Sequence, residues 1–200
     1  MVDQEKKIAI YFDMMDTLFE DPFPKAAQSC AGSMALFISQ IKEGNYIDFE
    51  MGDIDENEYC KRFFKSPKTQ REAKYSAIDF KTELMKTPAV PEDRKQLLHK
   101  LKKSYFLGLA SNYGPWAKEH LENVHLVNFF DIEHISWEMG CRKPSPEYFK
   151  IVKSGTNFQK AYFIDDRIEN CDAAETAGFI SIQAVNGWED KLLQLLNSSS

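Results

Sequence analysis

The chain has 200 residues, of which 43% are hydrophobic and 28% charged, as is typical of a globular protein large enough to bury a sizeable core. Its formal net charge of −6 argues against a nucleic-acid partner or an anionic membrane surface, because both favour positively charged patches. No apolar run approaches the roughly 20 residues needed to span a bilayer, and the N-terminus lacks the apolar core of a signal peptide, so we expect a cytoplasmic location.

The cysteines indicate a reducing compartment. Cys30, Cys60, Cys141 and Cys171 are far apart and include no CxxC pair, which argues against a zinc site. A chain of this length does not need disulfide bridges for stability. We therefore expect four free thiols.

The first predicted element is a buried β-strand over residues 7–13, where a short apolar run ends on an acid. From about residue 24 the apolar residues recur at helical spacing, and Gly44 is expected to close this helix.

Further helices are predicted before residue 92. Asp55 is a candidate N-cap, with Glu58 three positions later to complete a capping box. Residues 68–86 are also predicted to be helical. The whole stretch from residue 19 to residue 92 is therefore expected to contain helices and no strand of the sheet.

Strands and helices alternate over the second half of the chain. The predicted strands are "SYFLGLAS", "DIEHIS", "AYFIDD" and "FISIQAV", and a predicted helix follows each of them. This alternation is typical of a parallel sheet with helices on both faces. The strand at residues 7–13 must join that sheet, because alone it cannot bury its faces. The fold class is therefore α/β, and the helical stretch is an insertion after the first strand.

Polar side chains stand where three of the predicted strands end. They are Asp13, Ser111 with Asn112, and Asp165 with Asp166. Lys143, in "CRKPSP", precedes a predicted helix. Ligands of open parallel sheets bind at the carboxyl ends of the strands, which is where these polar side chains are predicted to lie. A carboxylate nucleophile, a hydroxyl, an ammonium and paired acids that could hold Mg²⁺ suit phosphoryl transfer.

The order and spacing of these residues resemble the haloacid dehalogenase-like hydrolase superfamily over nearly the whole chain. The four family motifs read "DMMDT", "LGLASN", "GCRKPSPEYF" and "FIDDRIENCDAAETAG" here, and "FEMGDIDENEY" resembles a stretch common in the small helical caps of phosphatase-like members. The resemblance implies a Rossmann-like α/β core, residues 1–18 and 93–200, with a helical cap, residues 19–92.

The resemblance also implies a role for each matching residue. Asp13 would be the nucleophile that forms an aspartyl-phosphate. Asp13, Asp166 and the backbone carbonyl of Met15 would bind Mg²⁺, with Asp165 in the outer sphere. The phosphoryl group of a small phosphorylated metabolite would be held by Ser111, Asn112 and Lys143. The oligomeric state stays open.

Met15 departs from the family pattern, in which a second aspartate acts as general acid and base. A thioether has no proton to give. Asp16, one position later, should face away from the site unless the backbone turns sharply, and we expect it to be a solvated or capping acid. Because general acid–base catalysis typically contributes ~10²–10⁴ in rate, a phosphatase without it is expected to be slow.

Three functions remain open, and we favour the first, a Mg²⁺-dependent phosphatase-like hydrolase that is slow or uses another acid from the cap. The second is C–halogen or C–P bond cleavage. Family dehalogenases, however, usually lack the paired acids and use an early cap arginine, which residues 19–61 do not contain. Phosphonate-cleaving members use a cap lysine, for which Lys25 is a candidate. The third is a non-catalytic phosphate- or metabolite-binding protein.

Overall fold

The structure is a computed structural model that describes residues 6–154 and 158–198. Its centre is one sheet of five parallel strands. The strands are β1 (Ile8–Phe12), β2 (Phe106–Ser111), β3 (Ile132–Ile135), β4 (Lys160–Asp165) and β5 (Ile180–Gln183). Their order across the sheet is β3-β2-β1-β4-β5. The predicted α/β fold with a parallel sheet is confirmed.

Helices account for most of the remaining described residues. Before β2 they are α1 (Phe23–Ala31), α2 (Met34–Gln40), α3 (Asn45–Glu50), α4 (Glu56–Lys61), α5 (Pro67–Glu72), α6 (Ala77–Leu84) and α7 (Glu92–Lys102). After β2 they are α8 (Ala117–Asn123), α9 (Ser136–Met139), α10 (Pro146–Ser154), α11 (Ile168–Thr176) and α12 (Trp188–Asn197). Six helices, and no strand of the sheet, thus lie between β1 and α7. The stretch of residues 19–92 is called the helical segment below.

Local breaks divide two of the predicted helices. Gly32 has a left-handed φ of 83°, and the side chain of Ser33 then accepts a hydrogen bond from Leu36 N, so α2 starts afresh after α1. In the same way the stretch 68–86 is divided into α5 and α6, with Ser76 as the second N-cap. Capping groups within these stretches thus override the continuous helical spacing of the apolar residues.

Other local expectations have mixed outcomes. Asp55 is the N-cap of α4 and accepts a hydrogen bond from Glu58 N at 2.8 Å, as predicted. The Glu58 carboxylate, however, pairs with Arg62. Ile38, one of the apolar residues that recur at helical spacing after residue 24, is 54% exposed. The short helices α3 and α9 were not predicted. The four cysteines are free thiols in the structure.

The strands are apolar throughout because both faces of the sheet are covered. Ile10 and Phe12 of β1 point into one buried cluster, whereas Ala9 and Tyr11 point into the other. The first cluster continues into the helical segment. There the ring of Phe49 packs 4.9 Å from that of Trp116, which precedes α8. This packing holds the helical segment against the rest of the chain.

No helix in the described part of the chain combines the length and the apolar character that crossing a bilayer requires.

Candidate active site

A cavity of about 270 Å³ lies where β1, β2 and β4 end. The sequence-predicted residues that line it are Asp13, Met15, Ser111, Asn112, Lys143 and Asp166. The register of the sheet explains why they meet. Phe12 pairs with Leu109 on one side and with Ile164 on the other, so the residues that follow these three reach the same edge.

The ammonium of Lys143 contacts acceptors at the ends of three strands. Nζ donates to Asp13 Oδ1 at 2.8 Å, to Asp165 Oδ2 at 2.6 Å and to the Ala110 carbonyl at 2.7 Å. These three acceptors use all its N–H groups, and Lys143 is only 2% exposed. Burial acts to lower the pKa of Lys143, but Asp13 and Asp165 hold it above its ordinary value. Lys143 is therefore a fixed positive charge.

Asp165 lies behind the cavity surface and is fully buried. Its Oδ2 accepts from Lys143, and its Oδ1 accepts from Arg167 N at 3.0 Å and Asn170 Nδ2 at 2.9 Å. Both oxygens are thus engaged by protein donors. This arrangement is compatible with the predicted outer-sphere position, which stays a prediction.

Three carboxylates crowd together at this edge. Asp13, Asp165 and Asp166 each offer an oxygen, and these atoms lie within 4.8 Å of one another. Burial raises the pKa of Asp13 to about 6 although Lys143 opposes the shift. Burial, together with the charges of Asp13 and Asp165, raises the pKa of Asp166 to about 7. A divalent cation would offset this repulsion, and Mg²⁺ prefers oxygen ligands of this kind.

Asn112 fixes the loop that carries Lys143. Its Nδ2 donates to the Lys143 carbonyl and its Oδ1 accepts from Lys143 N, both at 2.8 Å. The side chain predicted to bind phosphate is therefore engaged with the protein backbone. We expect Asn112 to act on the site chiefly by positioning Lys143, while Ser111 lines the cavity directly.

The turn after β1 differs from the expectation for an extended segment. The backbone bends sharply at Asp16, where φ is +54°, and both Met15 and Asp16 are among the residues that line the cavity. The sharp turn that would keep Asp16 at the site is therefore present. Its Oδ1 accepts a hydrogen bond from Asp21 N at 2.8 Å, and Asp16 is exposed, as expected of a solvated acid.

The helical segment contributes residues that the sequence did not single out. The cavity lining from this segment comprises Asp21, Phe23, Tyr46 and Glu50. Glu50, at the end of α3, is 7% exposed, and its Oε2 lies 3.0 Å from Nη2 of Arg142. Glu50 and Arg142 belong to quoted stretches, "FEMGD" and "CRKPSP", but only the tertiary packing of the short helix α3 reveals that they meet.

A family model described as haloacid dehalogenase-like hydrolase matches residues 10–184. The chain belongs to this family. The predicted family and the prediction of a hydrolase are thereby confirmed, and named enzymes are found among the relatives.

Two curated relatives of this chain are a hydrolase and a phosphatase by name. Flavin mononucleotide hydrolase 1, chloroplatic, from Arabidopsis thaliana is 27% identical over 189 residues, which cover 88% of this chain and 72% of that protein. D-ribitol-5-phosphate phosphatase from Bacteroides thetaiotaomicron is 31% identical over 109 residues, which cover 49% of this chain and 53% of that protein.

A solved family enzyme, also from Bacteroides thetaiotaomicron, has the same fold. It was crystallised as the wild-type protein in complex with magnesium and inorganic phosphate. The TM-score is 0.66 at 20% identity, and the match covers 88% of this chain and 92% of that one.

The structure gives no support to a Schiff base on the lysine considered for C–P bond cleavage by this hydrolase. Lys25 is exposed, pairs with Glu20 at 2.6 Å and does not line the cavity. Lys143 is the lysine among the described residues that line the cavity, and its ammonium is held by two carboxylates. A Schiff-base lysine must instead be neutral to attack a carbonyl group.

Proposed function

We propose that this hydrolase cleaves the phosphate ester of a small phosphorylated metabolite, with Mg²⁺ as its cofactor and Asp13 as its nucleophile. The observation that carries the proposal is the contact of Lys143 Nζ with Asp13 Oδ1 in a cavity that Asp166 also lines. The contact supports the proposal because a fixed cation and two carboxylates, one of them the proposed metal ligand Asp166, meet at the edge of the sheet where ligands bind.

The oxygen donors suit Mg²⁺. Asp13, Asp166 and the backbone carbonyl of Met15 would hold the ion, with Asp165 in the outer sphere. When bound, Mg²⁺ would neutralise charge on the acids and on the phosphoryl oxygens. The magnesium and phosphate bound by the structural relative support this assignment.

The chain's own residues then perform two displacements at phosphorus. In the first, an Asp13 oxygen bonds to phosphorus and the bond from phosphorus to the leaving oxygen breaks. In the second, water attacks the same phosphorus, which releases Asp13 and inorganic phosphate. Ser111 would donate to the phosphoryl oxygens through both steps. Lys143, whose three N–H groups already have acceptors, would attract these oxygens by its charge and keep Asp13 in place.

We further propose that the helical segment acts as a cap over the site. Phe23 and Tyr46 of this segment are among the residues that line the cavity. A segment that covers the site would exclude water and restrict which metabolite enters. The volume of about 270 Å³ favours a small metabolite. The names of the two curated relatives support a phosphorylated one.

Hydrolysis of 4-nitrophenyl phosphate in Mg²⁺ buffer tests the proposal, because its leaving group needs little help from an acid. We expect turnover by the wild type and a loss of at least ~10³-fold in Asp13→Asn, since the amide cannot act as the nucleophile. Asp48→Asn, on α3 and outside the cavity lining, is the matched control and should retain turnover. Equal rates for the wild type and Asp13→Asn would refute the proposal.

A further inference from the structure

We propose that Glu50 is the catalytic acid and base that the side chain of Met15 cannot supply. This inference rests on the proposed phosphate-ester hydrolysis and names the residue of the helical segment that completes it. Glu50 lines the same cavity as Asp13 and Met15, and it enters from α3, whereas Asp13 and Met15 follow β1.

The backbone of Glu50 is anchored to the rest of the chain. Its carbonyl accepts from Ser136 Oγ at 2.6 Å, and the same Oγ accepts from Tyr113 N at 3.0 Å. Two residues later, Gly52 lies so close to the Trp137 carbonyl that a Cβ there would stand 2.5 Å from its oxygen. The backbone at the end of α3 is therefore held in a fixed position beside the cavity. A catalytic group requires such a fixed position.

The side chain is held at one oxygen. Arg142 Nη2 lies 3.0 Å from Oε2, and no hydrogen bond to Oε1 is found within residues 6–154 and 158–198. Arg142 belongs to the loop that presents Lys143, so one loop orients both Glu50 and the ammonium that holds Asp13. Oε1 is thus the oxygen that can exchange a proton with a bound substrate.

The surroundings of Glu50 allow it to exchange a proton near neutral pH. Burial raises its pKa to about 7, and the charge of Asp13 acts in the same direction. Three cations oppose this shift, and the largest effect comes from Arg142, followed by Lys143 and then Arg167. The tyrosines that Glu50 influences, Tyr46, Tyr59 and Tyr113, have pKa values raised above the ordinary range and stay neutral. A general acid is most effective when its pKa lies near the working pH.

The two other cavity acids from the turn after β1 also have one bound carboxylate oxygen each, but it is bound to a backbone N–H of that turn and not to a side chain of the loop that presents Lys143. Asp21 Oδ1 accepts from Phe23 N at 2.9 Å, and Asp16 Oδ1 accepts from Asp21 N at 2.8 Å. Both carboxylates thus bind backbone N–H groups in the turn that leads into α1. Burial also raises the pKa of Asp21. An Asp21 variant is therefore the informative comparison for a Glu50 variant.

Glu50 would give a proton in the first displacement and regain one in the second, so that the protons balance over the two steps. In the first, Glu50 in its acid form gives its proton to the leaving oxygen as the bond to phosphorus breaks, so that an alcohol departs. In the second, the Glu50 carboxylate takes a proton from the water that attacks the phosphorus atom carried by Asp13. Asp13 and inorganic phosphate are released, and Glu50 is again protonated.

Glu50→Gln tests this role with two substrates of similar shape. 4-Nitrophenyl phosphate releases a stable anion, whereas phenyl phosphate releases a poorer leaving group that needs a proton. We expect kcat/KM for phenyl phosphate to fall by ~10²–10³-fold and kcat/KM for 4-nitrophenyl phosphate to fall far less. The nitrophenyl substrate should also give a burst of product, because the second step lacks its base. Asp48→Asn and Asp21→Asn should retain the wild-type ratio between the substrates.

The pH profile separates catalysis from a structural role. In the wild type, kcat/KM for phenyl phosphate should fall as the pH rises through about 7, since Glu50 must be protonated for the first step. This limb should be absent in Glu50→Gln. It should move to higher pH in Arg142→Met, because loss of the guanidinium raises the pKa of Glu50 further.

The outcomes distinguish this inference from the proposed function. Equal losses on the two substrates, or no loss on phenyl phosphate, would overturn the role of Glu50 while the hydrolase proposal stands. A wild type that hydrolyses neither substrate would overturn both. A selective loss on phenyl phosphate, with the burst and the missing limb, would establish Glu50 as the acid and base.

Discussion

The ammonium of Lys143 lies 2.8 Å from Oδ1 of Asp13, although 130 positions separate the two residues in the chain. The contact joins the end of β1 to the loop before α10, and both side chains are buried. Each charge compensates the other in a place from which water is largely excluded. Removing either partner leaves a buried charge behind, which is costly.

We therefore expect Lys143→Met to abolish hydrolysis and to lower the free energy of unfolding by about 3–5 kcal/mol, because Asp13 and Asp165 lose their shared cation. Urea denaturation measures the change. Lys150→Met on α10 removes an exposed lysine 3.9 Å from Glu147 and should change stability by less than about 0.5 kcal/mol. Equal effects of the two substitutions would contradict the buried charge cluster.

The effect of Mg²⁺ on stability should grow with pH. The pKa values of Asp13 and Asp166 are raised in the folded protein to about 6 and about 7, so folding favours their protonated forms. Without metal, the stability they contribute is present near pH 4 and is lost as the pH rises through 6 to 7. Mg²⁺ binds the ionised acids and should raise Tm more at pH 8 than at pH 5.

Asp166→Asn is the control for this thermal-shift experiment, because it removes a proposed ligand without adding bulk. The increase of Tm with Mg²⁺ should largely disappear in this variant. An increase that is independent of pH, or one that survives in Asp166→Asn, would argue against a metal at these carboxylates.

Removal of the Asn112 amide should loosen Lys143. Asn112→Ala breaks two hydrogen bonds of 2.8 Å and leaves the backbone N–H and carbonyl of Lys143 without their partners. We expect a loss of about 1–3 kcal/mol in unfolding free energy and a lower kcat for 4-nitrophenyl phosphate. Asn123→Ala, which removes an exposed amide bonded to the Met85 carbonyl, should leave kcat unchanged. Unchanged kcat in Asn112→Ala would show that Asn112 does not position Lys143.

The proposal that Glu50 replaces the acid missing at position 15 leads to a further prediction. Met15→Asp places a carboxyl group in the cavity wall next to Asp13. In a Glu50→Gln background it should restore hydrolysis of phenyl phosphate by at least ~10-fold, because a proton donor is again present. In the wild-type background the gain should be smaller. No restoration in the double variant would mean that position 15 cannot supply the acid.

Much of this arrangement could be predicted from the sequence because it depends on strands. Apolar runs such as "YFLGLAS" and "YFIDD" identify buried strands by their residues alone. Parallel strands bring their carboxyl ends to one edge of the sheet. The proximity of Asp13, Ser111 and Asp166 can therefore be predicted without knowing the loop conformations.

The remainder depends on tertiary packing or on local backbone geometry. The left-handed conformation of Asp16 bends the backbone where Asp16 lines the cavity, and the spacing of apolar residues does not predict this bend. The two hydrogen bonds of the Asn112 amide to the backbone of Lys143 join residues 31 positions apart, and no sequence pattern predicts them. Glu50 reaches the cavity because Ser136 and Trp116 hold the helical segment, and neither contact is encoded within "NYIDFE" itself.

Detection of a phosphoryl group on Asp13 is the most direct test of the account. Acid quenching during turnover of 4-nitrophenyl phosphate in Mg²⁺ buffer, followed by peptide mass spectrometry, should find phosphorylated Asp13 in the wild type. The adduct should accumulate further in Glu50→Gln, where the second displacement is slow, and should be absent in Asp13→Asn. Steady hydrolysis by the wild type with no phosphorylated Asp13, or equal hydrolysis by Asp13→Asn, would contradict the account.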